Sequence, residues 1–375
     1  MNLDDLREKI DEIDDGIVSL YKERMAISKL VADYKISTGK AVHDPAREKE
    51  KIAVLTGKAE TDFDKNAIAG LFSQIMSVSR KLQYRLLAEK ANIAPKYFKE
   101  VPKLETLGKR VVFQGAEGAF SQEAMESYFG TDVDSFNVET FKDVMLTLSD
   151  RKADFAVLPL ENSTAGYVSE VFDLLALFDN YIVAEQEILI EHNLMVKKGT
   201  RFEDIETVYS HPMSLLQSAE FLAEYPQWKK IPCENNAFAA RLVADSAMSD
   251  LAAIAGRKAA EIYGLEILQA GINQSATNAT RFIIVSNDKM YRHDAKTISI
   301  CFEVPHQSGS LYQMLSHFIF NDLNMTRIES RPIPEHDWEY RFFVDFEGNL
   351  SDSAVKNALH GLSHEAVNLK ILGNY

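Results

Sequence analysis

The chain has 375 residues, 46 % of them hydrophobic, enough for two or three globular domains with real cores. A formal net charge of −15 argues against nucleic acid or an anionic membrane surface as a partner, and no apolar stretch is long enough to span a bilayer or resembles a signal peptide. Lys/Arg and Asp/Glu balance at 15 each over residues 1–87, so this region is relatively basic. Cys233 and Cys301, far apart, read as reduced core thiols of a cytoplasmic protein.

Leu3, Leu6, Ile10, Ile13, Ile17 and Leu20 step by three and four, and the rhythm resumes at Ile27, Val31 and Tyr34. This predicts a long amphipathic helix with a heptad seam. The seam position after Leu20 is Arg24, a charge where an apolar side chain belongs. Such a charge needs a partner, either an internal acid or an anionic ligand. Lys35 lies eleven residues on and shares the face. Arg7 lies seventeen residues earlier, roughly 25 Å along the axis at about 1.5 Å per residue, too far to reach the same small ligand. If Arg7 contacts a ligand, it serves a second subunit. The helix is also too long to bury its seam within one small module, so the pattern predicts an intertwined helical homodimer, or a higher homo-oligomer.

Asp44-Pro45 opens a second helix, with Arg47 and Glu48 in its first turns. A third runs from about 64 to 88, where Ser79 and Gln83 break an apolar stripe on one face. Residues 1–88 resemble the all-helical class of chorismate mutase through Leu6-Arg7-Glu8-Lys9-Ile10-Asp11, Arg24, Lys35, Asp44, Arg47-Glu48, Ser79 and Gln83, in register. The resemblance implies that Arg24 and the partner chain's Arg7 hold the two carboxylates of chorismate. Lys35 and Gln83 would bond the ether oxygen, as the catalytic pair. Asp44, Glu48 and Ser79 would fix the ring hydroxyl and one carboxylate, with Arg47 supporting. The residue types suit a rearrangement that transfers no proton to the enzyme and needs a folded dianion with donors aimed at the oxygen gaining charge. No nucleophile, metal or cofactor is required, and no motif for one is visible.

The helical domain is assigned to 1–92 and a linker to 93–108, where the stripe is lost and Pro95 and Pro102 punctuate the chain. Beyond it, short strands alternate with helices, the pattern of a two-lobed α/β domain over 109–286. Strands are expected at 110–114, 154–158, 181–190, 205–209, 251–255 and 281–286. Four polar loops sit at strand ends: Gly115-Ala-Glu-Gly118-Ala-Phe-Ser121, a turn able to bring N–H groups to an anion; Glu161-Asn162-Ser163-Thr164; Ser210-His211-Pro212 with Gln217 after it; and Asn278-Ala-Thr280-Arg281-Phe282. A cleft between the lobes is the expected ligand site. The lone His211 reads first as a structural hydrogen-bonder. Together the loops resemble prephenate dehydratase, with Thr-Arg-Phe its best-known signature. The implied reaction expels a ring carboxylate as CO2 and the para hydroxyl as water. The resemblance points to Thr280 as proton donor; a threonine hydroxyl is a poor acid, so it reads as a relay or hydrogen-bonding group, with Glu161 as the alternative acid. Ser121, Asn162, Ser163, Ser210 and Gln217 would orient prephenate, and Arg281 would hold a carboxylate.

From Thr297 the order is strand, helix, strand, strand, helix, strand, a ferredoxin-like α+β module over 297–375. It resembles the ACT regulatory domain. The resemblance places phenylalanine between subunits at Gly309, Leu311, Glu329, Ser330 and Arg331. The whole then reads as a bifunctional enzyme of phenylalanine synthesis with a feedback sensor. A two-lobed solute-binding protein would leave Arg24, Lys35 and Glu161 unexplained. An amino-acid-responsive regulator would want a basic surface for nucleic acid.

Overall fold

The computed structural model describes residues 2–91, 98–333 and 339–375, without the side chains of 88–91. It divides into two compact units. One joins Met1–Lys96 to Cys301–Leu369, and the other holds Tyr97–Ile300 and Lys370–Tyr375. The helical and C-terminal modules, far apart in sequence, therefore share one body.

Three helices open the chain: α1 (Leu3–Thr38), α2 (Pro45–Thr56) and α3 (Asp62–Ala91). Asn2 and Asp5 start α1 with a reciprocal capping box, at 2.8 and 2.9 Å, and Gly39 ends it in the left-handed region at φ +68°. Asp44 caps α2 by accepting from the Arg47 N–H at 3.1 Å, and Pro45 takes the first position, as expected. The seam of α1 is unpaired in the single chain: Leu3, Leu6, Ile10, Ile13, Ile17 and Leu20 are 44–67 % exposed. Its later half packs on α3, where Ser28 and Ala32 are buried.

The second unit begins inside the expected linker. Residues 93–97 lie outside the described residues, but β1 (Lys99–Val101) pairs in parallel with β13 (Met290–Arg292), and Leu104 is buried in the core. Its first lobe contains β2 (Arg110–Gln114), α4 (Phe120–Phe129), β3 (Asp134–Val138), α5 (Phe141–Ser149), β4 (Phe155–Asn162), β5 (Gly166–Tyr167), α6 (Ser169–Leu177), β6 (Tyr181–Leu189) and the returning β12 (Ala279–Ser286). The sheet runs β6-β12-β4-β2-β3, with β12 antiparallel to both neighbours. Buried on both faces, β4 and β12 read as near-continuous apolar runs.

The second lobe contains β7 (Asn193–Val196), β8 (Thr207–Ser210), α7 (Pro212–Gln217), α8 (Ala219–Ala223), β9 (Lys229–Pro232), α9 (Asn236–Asp245), β10 (Leu251–Ala255), α10 (Arg257–Tyr263) and β11 (Glu266–Gln269), in the sheet order β11-β7-β10-β8-β9. Two crossings join the lobes and are bonded to each other: Ile190 N–H donates to Asn278 O at 2.7 Å, and Ile272 N–H to His192 O at 2.9 Å.

The last module is β14 (Thr297–Glu303), α11 (Ser310–Phe320), β15 (Met325–Pro332), β16 (Tyr340–Glu347), α12 (Ser353–Glu365) and β17 (Val367–Asn374). The βαββαβ order and the sheet order β15-β16-β14-β17 are those of a ferredoxin-like fold, as expected. The unit boundaries fall inside β14 and β17. Within the first unit, α12 and α11 pack against α3.

Among the described residues no helix is long and apolar enough to cross a membrane. Among the described residues neither cysteine forms a disulfide; Cys301 is buried and Cys233 half-buried.

Candidate functional sites

A cavity of about 340 Å³ opens among the three helices, lined by residues that include Arg24, Ser28, Lys35, Asp44, Arg47, Glu48, Lys51, Ser79, Arg80 and Gln83. Five of these are cations and two are carboxylates, so an otherwise acidic chain turns a positive pocket to its ligand. Among the described residues the seam charge forms no ion pair with an acid. The Arg24 guanidinium donates to the Ser79 hydroxyl and, at 3.4 Å, to Ile75 O; burial lowers its pKa, opposed by Tyr21 and Glu48. Lys35 Nζ donates to Val42 O at 2.6 Å, and its pKa is lowered mainly by burial. Gln83 is 7 % exposed, and its Oε1 has no partner among the described residues. A buried amide atom without a partner costs free energy unless a ligand supplies one.

Every helical site residue expected from the sequence lines this pocket except Arg7. Arg7 is exposed, pairs with Asp4 at 3.3 Å and is not part of the pocket lining. Ser28, Lys51 and Arg80, polar members of the lining, escaped the sequence reading. Ser28 Oγ lies 3.4 Å from Ser79 Oγ. Arg80, one position past Ser79, bonds Glu48 at 2.5 Å. The alternating carboxylates that hold Arg80 are distant in sequence, so periodicity offered no signal for it.

In the second unit, the interlobe crossing gathers a polar cluster. Asn162 ends β4 opposite Thr280 on β12. Its Nδ2 reaches Thr280 Oγ1 at 2.9 Å, Asn278 Oδ1 at 2.8 Å and Ala279 O at 3.1 Å. Its Oδ1 accepts from the Thr164 N–H, the Thr164 hydroxyl and the Ala165 N–H. From the other lobe, Gln217 Nε2 donates to Thr164 Oγ1 at 2.6 Å, while its Oε1 lies 2.8 Å from His192 Nε2 and 3.3 Å from Asn278 Nδ2. Burial pushes the His192 pKa down, with the Gln217 bond opposing. Thr280 is 8 % exposed. It accepts from Asn162, and its own hydrogen has no acceptor among the described residues. That leaves a hydroxyl hydrogen available to a ligand.

Several expected members stand elsewhere. Successive strand residues face opposite ways, so Arg281 and its register partner Glu161 lie on the sheet face away from Thr280. There Arg281 is paired with Glu161 and, at 3.6 Å, with Glu185. The expectation that both share the cleft with Thr280 is corrected by this alternation. Ser210 is fully buried, donating to Ile254 O at 2.6 Å and lying 3.0 Å from Asn236 Oδ1, so it supports the loop instead of meeting a ligand. Ser163 Oγ ties to Thr277 O and to the Ala279 N–H, steadying the Thr280 strand. His211 caps α7 by accepting from the Met213 N–H at 3.2 Å, the structural role expected first. The hydroxyl of Ser121, at the start of α4, has no protein partner among the described residues, and α4 lies on the Thr280 face of the sheet.

The glycine turn before α4 serves packing. Gly118 has φ +85°, and a Cβ there would lie 2.8 Å from Ala259 Cα at the start of α10. Its N–H is taken by Gln122 Oε1 at 2.7 Å instead of facing an anion. Tyr263 OH donates to Glu117 O at 2.9 Å and clamps the same edge of the cleft.

In the ferredoxin-like module, Gly309 caps α11 at φ +82°. Residues 304–312 with Glu339, Tyr340 and Phe342 line a cavity of about 430 Å³. Gly309 and Leu311 belong to it. Glu329, Ser330 and Arg331 lie on β15, outside its described lining.

The fold and sites define a class: a helical pocket for a small dianion joined to a two-lobed α/β domain whose interlobe cleft presents a buried hydroxyl donor. The comparisons agree. Residues 6–84 match the family model of chorismate mutase type II, and residues 111–290 that of prephenate dehydratase. The chain is 33 % identical to the bifunctional chorismate mutase/prephenate dehydratase of Stutzerimonas stutzeri, covering 99 % of this chain and 96 % of that protein. It is 31 % identical to the protein of the same name from Escherichia coli K12, covering 99 % and 95 %. A solved structure of prephenate dehydratase from Arthrobacter aurescens, in complex with L-Phe, superposes with a TM-score of 0.66 at 27 % identity, over 71 % of this chain and 89 % of that one. The chain belongs to the bifunctional chorismate mutase/prephenate dehydratase family.

Proposed function

We propose that this chain is a bifunctional enzyme of phenylalanine biosynthesis. It rearranges chorismate to prephenate in the helical pocket, converts prephenate to phenylpyruvate in the interlobe cleft, and is feedback-inhibited by phenylalanine. The observation that carries the mutase reading is the unneutralised Arg24, half-buried beside Lys35 and the partnerless oxygen of Gln83. Chorismate supplies what these groups lack: carboxylates for the cations and an ether oxygen for Lys35. The Gln83 amide, its two ends exchangeable by a flip, completes the ether contact. Catalysis then consists of folding the dianion into a reactive conformer and stabilising the charge that grows on the ether oxygen. Arg7 completes the site from a second chain, which supports a homodimer joined along the exposed seam of α1.

In the cleft, the Thr280 hydroxyl donates its proton to the departing ring hydroxyl, which leaves as water as the C–O bond breaks. The carboxylate leaves as CO2, and the electron pair of its C–C bond completes the aromatic ring. The Asn162 N–H at 2.9 Å eases loss of the proton by stabilising the developing alkoxide. Glu161, held by Arg281 on the other sheet face, is the poorer candidate acid. Gln217, Thr164 and Asn278 orient prephenate, and the lobes exclude water from the departing carboxylate.

Phenylalanine binds the ferredoxin-like module, an ACT domain, at Gly309 and Leu311 of one copy and at Glu329, Ser330 and Arg331 of a second. The protein works in the cytoplasm, without nucleic acid or membrane partners. Purified chain incubated with chorismate should form prephenate and then phenylpyruvate, and phenylalanine should suppress the second step. Absence of prephenate sinks the mutase assignment, and prephenate accumulating without phenylpyruvate sinks the dehydratase assignment.

A further inference from the structure

We infer that Glu365, on the ferredoxin-like module, is a positioning residue of the mutase pocket, acting through Arg80 on the carboxylate of Glu48. The inference rests on the mutase reading and assigns that site a contributor 285 residues away in sequence.

Arg80 follows Ser79 on α3, so its side chain leaves the helix about 100° round from that pocket residue, toward α12. The side chain is 5 % exposed and bridges two carboxylates: Nη1 meets Glu48 Oε2 at 2.5 Å, and Nε meets Glu365 Oε1 at 2.8 Å. A guanidinium is planar and donates in fixed directions, so two such bonds set its orientation. Glu365 is itself 3 % exposed, and its Oε2 is 3.1 Å from His317 Nε2. His317 cannot retreat. Its ring lies so close to the backbone of α12 that a Cβ on Gly361 would come within 2.5 Å. The row His317–Glu365–Arg80–Glu48 thus runs from the interior of the ferredoxin-like module to the wall of the cavity.

Glu48 is the member that faces the ligand; its side chain is 27 % exposed. It must accept from the ring hydroxyl while bonded to Arg80. With Glu365 ionised, the Arg80 charge is shared between two acids, and one face of Glu48 stays available. With Glu365 neutral, a nearly buried cation has Glu48 as its only acid partner and draws it off the substrate. The grip of Arg24 on the substrate carboxylate is untouched. The loss therefore falls on how the bound ring is held, which is read in kcat, and only weakly on KM.

The test uses the full chain with Glu365→Gln, Glu365→Asp, Arg80→Lys and the Glu365→Gln/Arg80→Lys double variant, assaying chorismate and prephenate turnover separately. Glu365→Gln should lower the mutase kcat about tenfold, equivalent to about 1.4 kcal/mol in the barrier. KM for chorismate should stay within about twofold, and prephenate turnover should be unchanged, as for loss of a contact that orients the bound substrate. Glu365→Asp retains the charge and should recover to within about threefold of wild type, and the double variant should lose no more than the worse single variant, because both changes break one bridge. A Glu365→Gln kcat within about twofold of wild type overturns the inference, as does a parallel fall in prephenate turnover, which would mark general unfolding. A wild-type chain inert toward chorismate overturns the mutase reading, and this one with it.

Discussion

Thr280→Val tests the dehydratase chemistry with little disturbance of the fold. Valine keeps the β-branch and its restricted χ1, and replaces one hydroxyl by a methyl group. Asn162 then loses its 2.9 Å contact to Thr280 but keeps Asn278 Oδ1 at 2.8 Å and Ala279 O at 3.1 Å, acceptors enough for both Nδ2 hydrogens. The stability cost is therefore about one ordinary hydrogen bond, near 1 kcal/mol. The activity cost is larger, because the substituted group is the proton donor. General acid catalysis contributes about 10²–10⁴-fold, or about 2.7–5.5 kcal/mol of barrier. Phenylpyruvate formation from added prephenate, followed by its absorbance in alkali, should fall by at least about 100-fold, while prephenate formation from chorismate continues at the wild-type rate. Dehydratase activity within about tenfold of wild type would show that the proton comes from elsewhere, and Glu161→Gln would be the next variant. Parallel loss of both activities would refute the two-site account.

Two further outcomes are expected. Arg7→Ala and Arg24→Ala chains should each be nearly inactive toward chorismate. If Arg7 serves the neighbouring site, co-refolding equal amounts should restore about a quarter of wild-type mutase activity, because half the dimers are mixed and each mixed dimer has one complete site; no recovery would place Arg7 outside the site. Acid should destabilise the chain in two steps. Burial, aided by His364, pushes the His360 pKa down to about 4, below its unfolded value, so stability falls as pH drops from about 6.5 to about 4. Burial works against the Glu365 charge, but His317 and Arg80 outweigh it and hold the carboxyl at about 2. Its contribution, complete above about 4.5, disappears as pH falls toward 2. Urea midpoints measured against pH should show both steps, and His360→Asn should shrink the upper one, to which buried His192 also contributes, while leaving the lower one in place.

Much of this was legible in the sequence because it is local. The step of three and four in α1 exposed Arg24 as an intruder. The Asp44-Pro45 pair marked a helix start, and the βαββαβ order could be read from the strand and helix alternation. The missed strands, β1, β3, β5, β7, β9, β11 and β13, are two to five residues long, too short for periodicity to distinguish them from loops. Side-chain direction was the harder problem. Thr280 and Arg281 are adjacent letters but occupy opposite sheet faces. Ser210 looks like a cleft residue until Ile254 O is found beside it. Arg80 could not be found at all, since Glu365, one of the two acids that define its place, lies at the far end of the chain.

That arrangement bears on how the protein is made. The first unit is built from two segments distant in the chain, with residues 97–300 of the second unit translated between them. At about 5–20 residues per second, roughly 10–40 s separate the emergence of α3 from that of residue 301. Throughout that interval the nascent Arg80, Lys81 and Tyr84 lack Glu365, Ser316 and the histidines they will meet. The earliest part of the polypeptide to leave the ribosome is thus among the last to finish folding. A fragment cut near residue 96 would keep that face open for good.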